Sequence, residues 1–309
     1  MRKILVTGCL GQIGSELVPA LRKKHGKENV LGLDIKAGPG IIKADACNME
    51  ELRAVITQHD VDIIYHLVAI LSANGEHQPG LTWGTNMASL KHVLDLAVEL
   101  KVKQVFWPSS IAAFGPGSPK NGTPQITAMD PSTMYGATKV AGELLCNYYY
   151  AKFGLDVRSV RYPGLISYKT APGGGTTDYA IEMFHHAIQG KPYACFVREG
   201  TTLPFMYMDD AIRATLEIMA AEKDAIKVRT SYNLAAVSFS ARELAEEIRK
   251  HYPDFECTFQ PDERQKIADS WPVKIDDTYA RNHWQWKPEF TLPKIVEAMI
   301  EGVKGEHHA

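Results

Sequence analysis

The segment Thr7-Gly8-Cys9-Leu10-Gly11-Gln12-Ile13-Gly14 decides the fold of this chain. It follows Lys3–Thr7, a run that we predict to be the first strand, and it leads into a segment of helical character. Gly8 permits a tight turn, Gly11 lets a pyrophosphate approach the backbone, and Gly14 allows the helix to pack closely on the strand. Phosphates at such a turn meet unpaired N–H groups and the positive end of the helix dipole. A glycine triplet alone also fits a tight turn without a ligand.

Asp34 decides between these two interpretations. It ends a predicted strand, Val30–Asp34, and lies 20 residues after Gly14. An acidic residue about 20 positions after the glycines binds the adenosine ribose hydroxyls of a dinucleotide. Its charge would repel the 2′-phosphate of NADP, so the pattern favours NAD, although Lys36 is close enough to moderate that preference.

The first half of the chain alternates short apolar runs with helical segments. The predicted strands are Lys3–Thr7, Val30–Asp34, Ile41–Lys43, Asp62–Ala69, Gln104–Trp107 and Val157–Arg161. Several are apolar on both faces, as a buried parallel sheet requires. Asn48 and Glu51 form a capping pattern before one helix, and Thr85–Leu100 carries an apolar helical stripe. This order predicts an α/β fold, a doubly wound Rossmann sheet with helices on both faces. Pro19 is expected to kink or shorten the first helix.

After Pro163 the composition changes, and we expect a smaller C-terminal substrate lobe interleaved with the sheet. Residues 171–177 are rich in glycine. Further helices are predicted over Asp178–Gln189, Met208–Ala221, Ala241–His251 and Leu292–Val303, and a further strand over Ser231–Ala235. The expected division assigns residues 1–162 to a cofactor-binding domain, to which 205–237 return, and residues 163–204 and 238–309 to the substrate lobe.

Tyr135 and Lys139 are the predicted catalytic pair. We place Pro131 early in a helix that carries both residues on one face, because they are four positions apart. A phenol with a pKa of about 10 is a poor base at neutral pH. A neighbouring ammonium and a cationic nicotinamide ring would stabilise the phenolate and bring its pKa into range. The pattern also occurs by chance as a surface tyrosine with a solvated lysine.

Ser109 and Ser110 follow the fifth predicted strand. Ligands in open α/β sheets bind beyond the carboxyl ends of the strands, so both hydroxyls are expected to face the site. The pair also fits a simple turn. Both interpretations are compatible, since one hydroxyl can orient a substrate while the other satisfies the backbone.

Composition excludes several classes of protein. The 309-residue chain has a formal net charge of -2 and no block of like charges, so it offers no electrostatic basis for binding nucleic acid or a membrane surface. No apolar run is long enough for a bilayer, and Met1-Arg2-Lys3 gives no signal-peptide pattern. The five cysteines lack any C-x-x-C spacing, which favours a reducing, cytoplasmic location.

Histidine and tryptophan residues give no further site. His185-His186 and His307-His308 lack convergent ligands, so we expect surface positions and no metal. Trp83, Trp107 and Trp271 are expected to serve packing rather than chemistry.

Together, the glycine pattern, the serine-bearing strand end and Tyr-x-x-x-Lys resemble the extended short-chain dehydrogenases, whose best-known branch is UDP-galactose 4-epimerase. From about Lys3 to Pro288 the chain is similar to the L-threonine 3-dehydrogenase branch. The segments that carry this resemblance are W-P-S-S-I-A-A-F-G, P-S-T-M-Y-G-A-T-K, R-Y-P-G-L-I-S, P-G-G-G-T-T-D-Y-A, M-Y-M-D-D-A and R-Q-K-I-A-D-S-W-P. Phe114 stands where the epimerases usually have tyrosine.

The resemblance implies roles for particular residues. The catalytic residues would be Ser110, Tyr135 and Lys139. The NAD site would consist of Gly8, Gly11, Gln12, Ile13, Gly14, Asp34, Asp45, Ala46, Leu67, Ala69, Asn86, Tyr135, Lys139 and Pro163. Within it, Asp45 would contact adenine and Pro163 would lie against nicotinamide. The resemblance also implies a homodimer, formed by the helix of Tyr135 and the long helix before it.

The substrate residues are expected to be Ser72, Ser109, Ser110, Tyr135, Gly174, Thr177 and Asp178. Residues 173–178 would close over a small amino acid, with backbone N–H groups and Thr177 at its carboxylate. The same segment also fits a connector without a ligand.

The expected reaction is the NAD-dependent oxidation of L-threonine to 2-amino-3-oxobutanoate. A nucleotide-sugar epimerase or dehydratase is the main alternative, since several arginines could bind a diphosphate: Arg198, Arg213, Arg229, Arg264 and Arg281. A noncatalytic dinucleotide sensor is a third interpretation, which the presence of Ser110, Tyr135 and Lys139 argues against.

Overall fold

The computed structural model describes residues 2–307 and, at 306 and 307, the backbone alone. Its strands are β1 (Lys3–Thr7), β2 (Val30–Asp34), β3 (Ile41–Lys43), β4 (Val61–His66), β5 (Gln104–Ser110), β6 (Asp156–Tyr162), β7 (Gly164–Ile166), β8 (Tyr193–Cys195), β9 (Thr202–Tyr207), β10 (Tyr232–Asn233), β11 (Val237–Ser240) and β12 (Cys257–Phe259). Its α-helices are α1 (Gly14–His25), α2 (Met49–Gln58), α3 (Ser72–His77), α4 (Pro79–Glu99), α5 (Met134–Phe153), α6 (Tyr179–Ile188), α7 (Met208–Ala220), α8 (Ala241–Arg249), α9 (Arg264–Ser270), α10 (Thr278–Trp284) and α11 (Leu292–His307).

Seven parallel strands form the central sheet, in the order β10-β6-β5-β4-β1-β2-β3. The chain leaves β1 towards β2 on one side and later returns to β4 on the other, so the strand order reverses at β1. A crevice opens at such a reversal, beyond the carboxyl ends of the strands. The predicted doubly wound Rossmann fold is confirmed, and the strand predicted at Ser231–Ala235 joins the sheet as β10.

Both faces of the sheet are covered by helices. Ile4 and Val6 of β1 pack in a cluster with α1 and α7, whereas Leu5 between them packs with α2 and α4 on the opposite face. All three side chains are fully buried. Successive side chains of a strand point to opposite faces, so this run is apolar throughout because neither face meets water.

Pro19 does not end the first helix. α1 continues through Pro19 to His25, so of the two expected effects, a kink or a shorter helix, the shortening does not occur. Proline in a helix interior costs about 3 kcal/mol. Pro19 itself faces solvent, while Leu17 and Leu21 are fully buried against the sheet, and their packing outweighs the missing hydrogen bond.

Local hydrogen bonds set the starts of two other helices. Asn48 caps α2 as predicted, accepting the N–H groups of Glu50 and Glu51. Thr133 caps α5 by accepting the N–H of Gly136 at 3.0 Å. Pro131 therefore precedes the helix rather than beginning it, and that prediction is wrong.

The C-terminal lobe contains two small sheets, with strand orders β11-β9-β7 and β12-β8. Its core includes residues of α6, α8 and α11, and it extends to Tyr135. Residues 205–207, which we expected to return to the first domain, lie in β9 of the lobe's three-stranded sheet. They do so because β9 pairs with β7 and β11, and the chain returns to the large sheet only at β10.

Of the three tryptophans expected to serve packing, Trp107 and Trp271 are buried, and Trp83 is 46% exposed on α4. In the part of the chain that the structure covers, no helix is both long and apolar enough to cross a membrane.

We predict that Gly14→Ala destabilises the protein. A Cβ at this position would lie 2.5 Å from the carbonyl oxygen of Gly8 and 2.7 Å from Cα of Cys9, which are backbone atoms that cannot give way cheaply. Overpacking of this kind costs about 1–3 kcal/mol. Urea unfolding should show this loss, whereas the control Gly305→Ala, in open space on α11, should be at least as stable as wild type. Equal stability of Gly14→Ala and wild type would contradict the packing account.

Candidate active site

The glycine turn lies between β1 and α1 at the crevice. Gly8 has φ +69°, and a Cβ there would approach the backbone nitrogen of Val68 to 3.0 Å. Among the hydrogen bonds within residues 2–307, none uses the N–H of Gln12 or of Ile13. These two donors precede the first turn of α1, which is where a phosphate would bind. Gly14 lines neither of the two cavities described below and serves the close packing of helix on strand.

A cavity of about 630 Å³ extends from the glycine turn along the ends of β2 and β4. Seven residues expected at the cofactor line it: Gly8, Gly11, Asp34, Asp45, Ala46, Leu67 and Ala69. Sequence reasoning missed three apolar residues of its walls, Leu10, Ile35 and Leu81, which are exposed. A pocket with apolar walls and a few polar groups suits an adenosine.

The Asp34 carboxylate fixes the shape of this cavity. Its Oδ2 accepts the N–H of Leu10 at 3.0 Å, and its Oδ1 accepts the N–H of Lys36 at 3.1 Å. The carboxylate therefore joins the glycine turn to the end of β2 while it faces the cavity.

Asn86 does not line either cavity, contrary to expectation. Its amide accepts the N–H of Ile70 at 2.8 Å and donates to the carbonyl oxygen of Ile70 at 3.2 Å and to Thr138 at 3.2 Å. Asn86 thus supports the segment after β4. That strand ends at His66 rather than at the predicted Ala69, although the N–H of Leu67 still donates to Thr7 of β1 at 3.0 Å.

A second, smaller cavity of about 130 Å³ adjoins the first, since Leu67 and Ala69 line both. Ser110, Tyr135 and Lys139 meet here. The other predicted residues along its walls are Gln12, Ile13, Ser72, Ser109, Pro163, Thr177 and Asp178. Residues that sequence reasoning did not assign to it include Leu71, Ile111, Leu165, Thr176 and Trp271.

Helix α5 presents the catalytic pair on one face. Lys139 Nζ lies 5.2 Å from the centre of the Tyr135 ring and 4.6 Å from that of the Trp107 ring. It donates to the carbonyl oxygen of Pro108 at 2.6 Å. Both side chains of the pair are buried.

Burial shifts the pKa values of this pair in opposite directions. It raises the pKa of Tyr135 to about 12, and a hydrogen bond with Ser110 acts in the opposite sense. It lowers the pKa of Lys139 to about 7. We expected the ammonium to lower the pKa of the tyrosine. In the protein without cofactor, the Ser110 hydroxyl has that effect instead.

The glycine-rich segment folds over the small cavity. Asp178 accepts the N–H groups of Gly174 and Gly175, each at 2.8 Å. This corrects the expectation that Gly174 and its neighbours offer free N–H groups to a substrate carboxylate, because a carboxylate of the chain already uses them. The Ser72 hydroxyl lies 3.1 Å from that of Thr176, so the segment is also tied to α3.

Ser109 also differs from expectation. Its hydroxyl donates to Glu143 at 2.6 Å, so it is engaged within the protein rather than offered to a substrate. Ser110, the next residue, lines the small cavity together with Tyr135, and its hydroxyl acts to lower the pKa of that tyrosine.

The histidines were expected to lie at the surface. Among the described side chains, which end at residue 305, there is no group of three or more His, Cys, Asp and Glu residues suited to a metal. His185 and His186, predicted at the surface, are half-buried on α6, where His186 Nδ1 donates to the carbonyl oxygen of Pro192 at 2.8 Å. The side chain of His307 and all of His308 lie outside the described residues.

A Rossmann crevice that brings a serine, a tyrosine and a lysine to one cavity defines an oxidoreductase site of the extended short-chain type. The chain belongs to the NAD dependent epimerase/dehydratase family, whose family model matches residues 4–235. The predicted family and the predicted cofactor, NAD, are thereby confirmed.

Relatives within this family carry more specific names. The mitochondrial L-threonine 3-dehydrogenase of Sus scrofa is 45% identical over 96% of this chain and 82% of its own length. The GalE-like L-threonine dehydrogenase from Cupriavidus necator, in its holo form, is 48% identical with a TM-score of 0.96, over 97% of this chain and 99% of its own. The UDP-glucose 4-epimerase of Thermotoga maritima is 20% identical with a TM-score of 0.87, over 99% of each chain, and shows the fold alone.

We predict that Lys139 makes the stability of the cofactor-free protein depend on pH. The unfolded chain keeps the lysine proton up to pH 10.5, whereas the folded protein releases it near pH 7. The unfolded state therefore binds more protons between these values. The free energy of unfolding should rise with pH by about 1.4 kcal/mol per unit from this group, most clearly between pH 7 and 9. Cysteine thiols, whose ordinary pKa is about 8.5, also ionise in this range, but wild type and a lysine variant share them, so their contribution cancels in the difference.

Urea unfolding of wild type and Lys139→Met at pH 7, 8 and 9 measures this contribution. The difference between the two proteins should grow with pH, whereas Lys152→Met, an exposed position on the same helix, should follow wild type. Parallel curves for wild type and Lys139→Met would show that the buried lysine keeps an ordinary pKa.

Proposed function

We propose that this protein is an NAD-dependent L-threonine 3-dehydrogenase, which oxidises the side-chain hydroxyl of L-threonine to 2-amino-3-oxobutanoate. The observation that carries the proposal is the convergence of Ser110, Tyr135 and Lys139 on one cavity beside the cofactor crevice. A substrate hydroxyl placed there meets a base, a hydrogen-bond donor and the hydride acceptor together, which is what the oxidation of an alcohol requires. The names of the pig and Cupriavidus necator relatives support L-threonine as that alcohol.

The crevice residues fit NAD. The N–H groups of Gln12 and Ile13 would bind its phosphates, Asp34 its adenosine ribose, and the wall at Asp45 its adenine. Lys139 and Pro163, in the small cavity, would hold the nicotinamide ribose and ring. When bound, NAD supplies the acceptor for the hydride that leaves Cβ of the substrate.

Tyr135 is the proposed general base. It would take the proton of the threonine hydroxyl as the Cβ–H bond breaks, while Ser110 donates a hydrogen bond to the same oxygen. A phenol whose pKa is about 12 is a weak base at neutral pH, so the site must stabilise the phenolate. Ser110 already does so, and Lys139 adds a positive charge near the ring whenever it is protonated.

The C-terminal lobe is proposed to orient the substrate amino acid. Asp178 places a carboxylate at the small cavity, where it would attract the substrate ammonium and repel the substrate carboxylate. The hydroxyls of Ser72 and Thr177 are then left for the carboxylate. In this division, residues 1–162 form the cofactor domain and residues 163–204 with 238–309 form the substrate lobe. Residues of both line the small cavity, with Ser72 of the first at the substrate and Pro163 of the second at the nicotinamide.

A substrate panel tests the proposed function directly. The purified protein with NAD should form free NADH with L-threonine, and not with UDP-glucose or UDP-galactose, as read by NADH absorbance. An epimerase would return the hydride and keep its cofactor, so conversion of a UDP-sugar without free NADH would replace the proposal. A protein that binds NAD but turns over none of these compounds would support a sensor instead.

Tyr135→Phe should lower kcat by at least about 100-fold, which is the lower end of what a general base contributes. The affinity for NAD, measured by calorimetry, should change little, because the ring and its packing remain. Turnover within a few-fold of wild type would remove Tyr135 from this role.

We further propose a homodimer formed by α4 and α5. On α5, Leu144 and Tyr148 lie four residues apart on one face and are 58% and 51% exposed. Large apolar side chains in one exposed row mark an interaction surface. Sedimentation equilibrium should give the mass of two chains for wild type and of one chain for Leu144→Glu; a single-chain mass for wild type would refute the dimer.

A cytoplasmic location is the last part of the proposal. All five cysteines are unpaired thiols in the structure, and a reducing compartment keeps them so. Cell fractionation with an assay of threonine-dependent NADH formation tests it; activity confined to a membrane or secreted fraction would contradict it.

A further inference from the structure

The face of α5 that carries Lys139 continues one turn further to Glu143. Lys139 bonds to the carbonyl oxygen of Pro108 at 2.6 Å, and Glu143 accepts the hydroxyl of Ser109 at 2.6 Å. Two successive turns of the helix therefore contact two successive residues at the end of β5. The next residue of that strand is Ser110.

The Glu143 carboxylate is held in one position. It is fully buried, and a buried charge is costly unless it is paired and hydrogen-bonded. Arg161 of β6 provides both the opposite charge and the hydrogen bonds. Its Nε donates to Oε1 of Glu143 at 2.8 Å, and its Nη2 donates to Oε2 at 2.7 Å. A bidentate pair of this kind fixes orientation as well as charge.

Arg161 is itself anchored on its other side. Its Nη1 donates to Asn233 of β10 at 2.9 Å and to the carbonyl oxygen of Gln125 at 3.0 Å, and its guanidinium lies 5.0 Å from the centre of the Phe114 ring. The network thus connects three neighbouring strands, β10, β6 and β5, to helix α5. Exchanging a buried ion pair for apolar residues is often neutral or stabilising, so stability alone gives a weak reason for this one.

We infer that Glu143, acting through Ser109, is a positioning residue for the proposed reaction: it fixes the end of β5 so that Ser110 stays directed at Tyr135. Ser109 in this assignment does not bind the substrate. The inference rests on the proposed function, and it goes beyond it by naming the groups that hold the reacting hydroxyls in place.

The position of Ser110 depends closely on its neighbour. Its Oγ accepts the N–H of Ala112 at 3.2 Å, so Ser110 is also the first residue of a tight turn, the 3₁₀ helix Ile111–Ala113. If Ser109 lost its hydrogen bond to Glu143, the end of β5 and this turn would both become more mobile. A misplacement of about 1 Å at a reacting group can cost on the order of 100-fold in rate.

The test is Ser109→Ala, with Ser159→Ala as matched control. Ser159 of β6 is equally buried, its hydroxyl lies 2.8 Å from that of Ser231, and it lines neither cavity. In Ser109→Ala, kcat with L-threonine should fall about 10-fold to 100-fold, with KM for threonine and Kd for NAD within two-fold of wild type. Ser159→Ala should keep the wild-type kcat, and Ser109→Thr, which retains a hydroxyl, should recover most of the lost rate.

Three results would overturn the inference. A rise in KM with unchanged kcat would make Ser109 a substrate ligand. Equal losses of kcat in both alanine variants would indicate a general effect of buried serines. Failure of Ser109→Thr to recover any activity would show that the hydroxyl is not the operative group.

A readout without substrate separates this inference from the proposed function. Hydrogen exchange at the amide of Ala112 should be faster in Ser109→Ala than in wild type and unchanged in Ser159→Ala, whatever the enzyme oxidises. Unchanged exchange at Ala112 would refute the positioning role. Absence of threonine oxidation in wild type, together with the faster exchange, would refute the proposed function alone.

Discussion

The attachment of α5 to the end of β5 is the constraint on which the rest of the site depends. Two glycines allow this close contact. A Cβ at Gly142 would lie 2.4 Å from the Trp107 ring, and one at Gly136 would lie 2.2 Å from the carbonyl oxygen of Ala112. With the helix this close, Lys139 reaches the strand backbone and Tyr135 reaches the serine that follows. The close packing of the two backbones therefore comes first, and it brings the catalytic side chains within reach of each other.

The two cavities differ in how far their residues are buried. In the small cavity burial raises the pKa of Tyr135 and lowers that of Lys139, so both groups are shifted towards their uncharged forms. The wider cavity keeps exposed apolar walls and an accessible carboxylate at Asp34, which suits a ligand recognised by shape and by its ribose. Leu67 and Ala69 line both cavities, and this continuity lets one dinucleotide extend from one to the other.

Much of this could be predicted from the sequence, because the signals are local. Each of these signals can be recognised within a short stretch of sequence: the glycine turn, Asp34, and the spacing of Tyr135 and Lys139. What failed depends on contacts between distant segments. Two adjacent serines could not be told apart, because only the packing of α5 directs Ser109 to Glu143. No local pattern shows that Asp178 folds back onto Gly174, or that Asn86 supports the backbone of Ile70 instead of lining the cofactor site.

The central claim is that the small cavity binds L-threonine with its Cβ hydrogen directed at the nicotinamide. The most direct test supplies L-threonine carrying deuterium at Cβ, together with unlabelled NAD, and examines the released NADH by NMR. The account predicts one deuterium at C4 of the nicotinamide ring for each 2-amino-3-oxobutanoate formed, together with a reduced rate for the labelled substrate if hydride transfer limits turnover. NADH without deuterium, or no NADH formed from the labelled L-threonine, would contradict it.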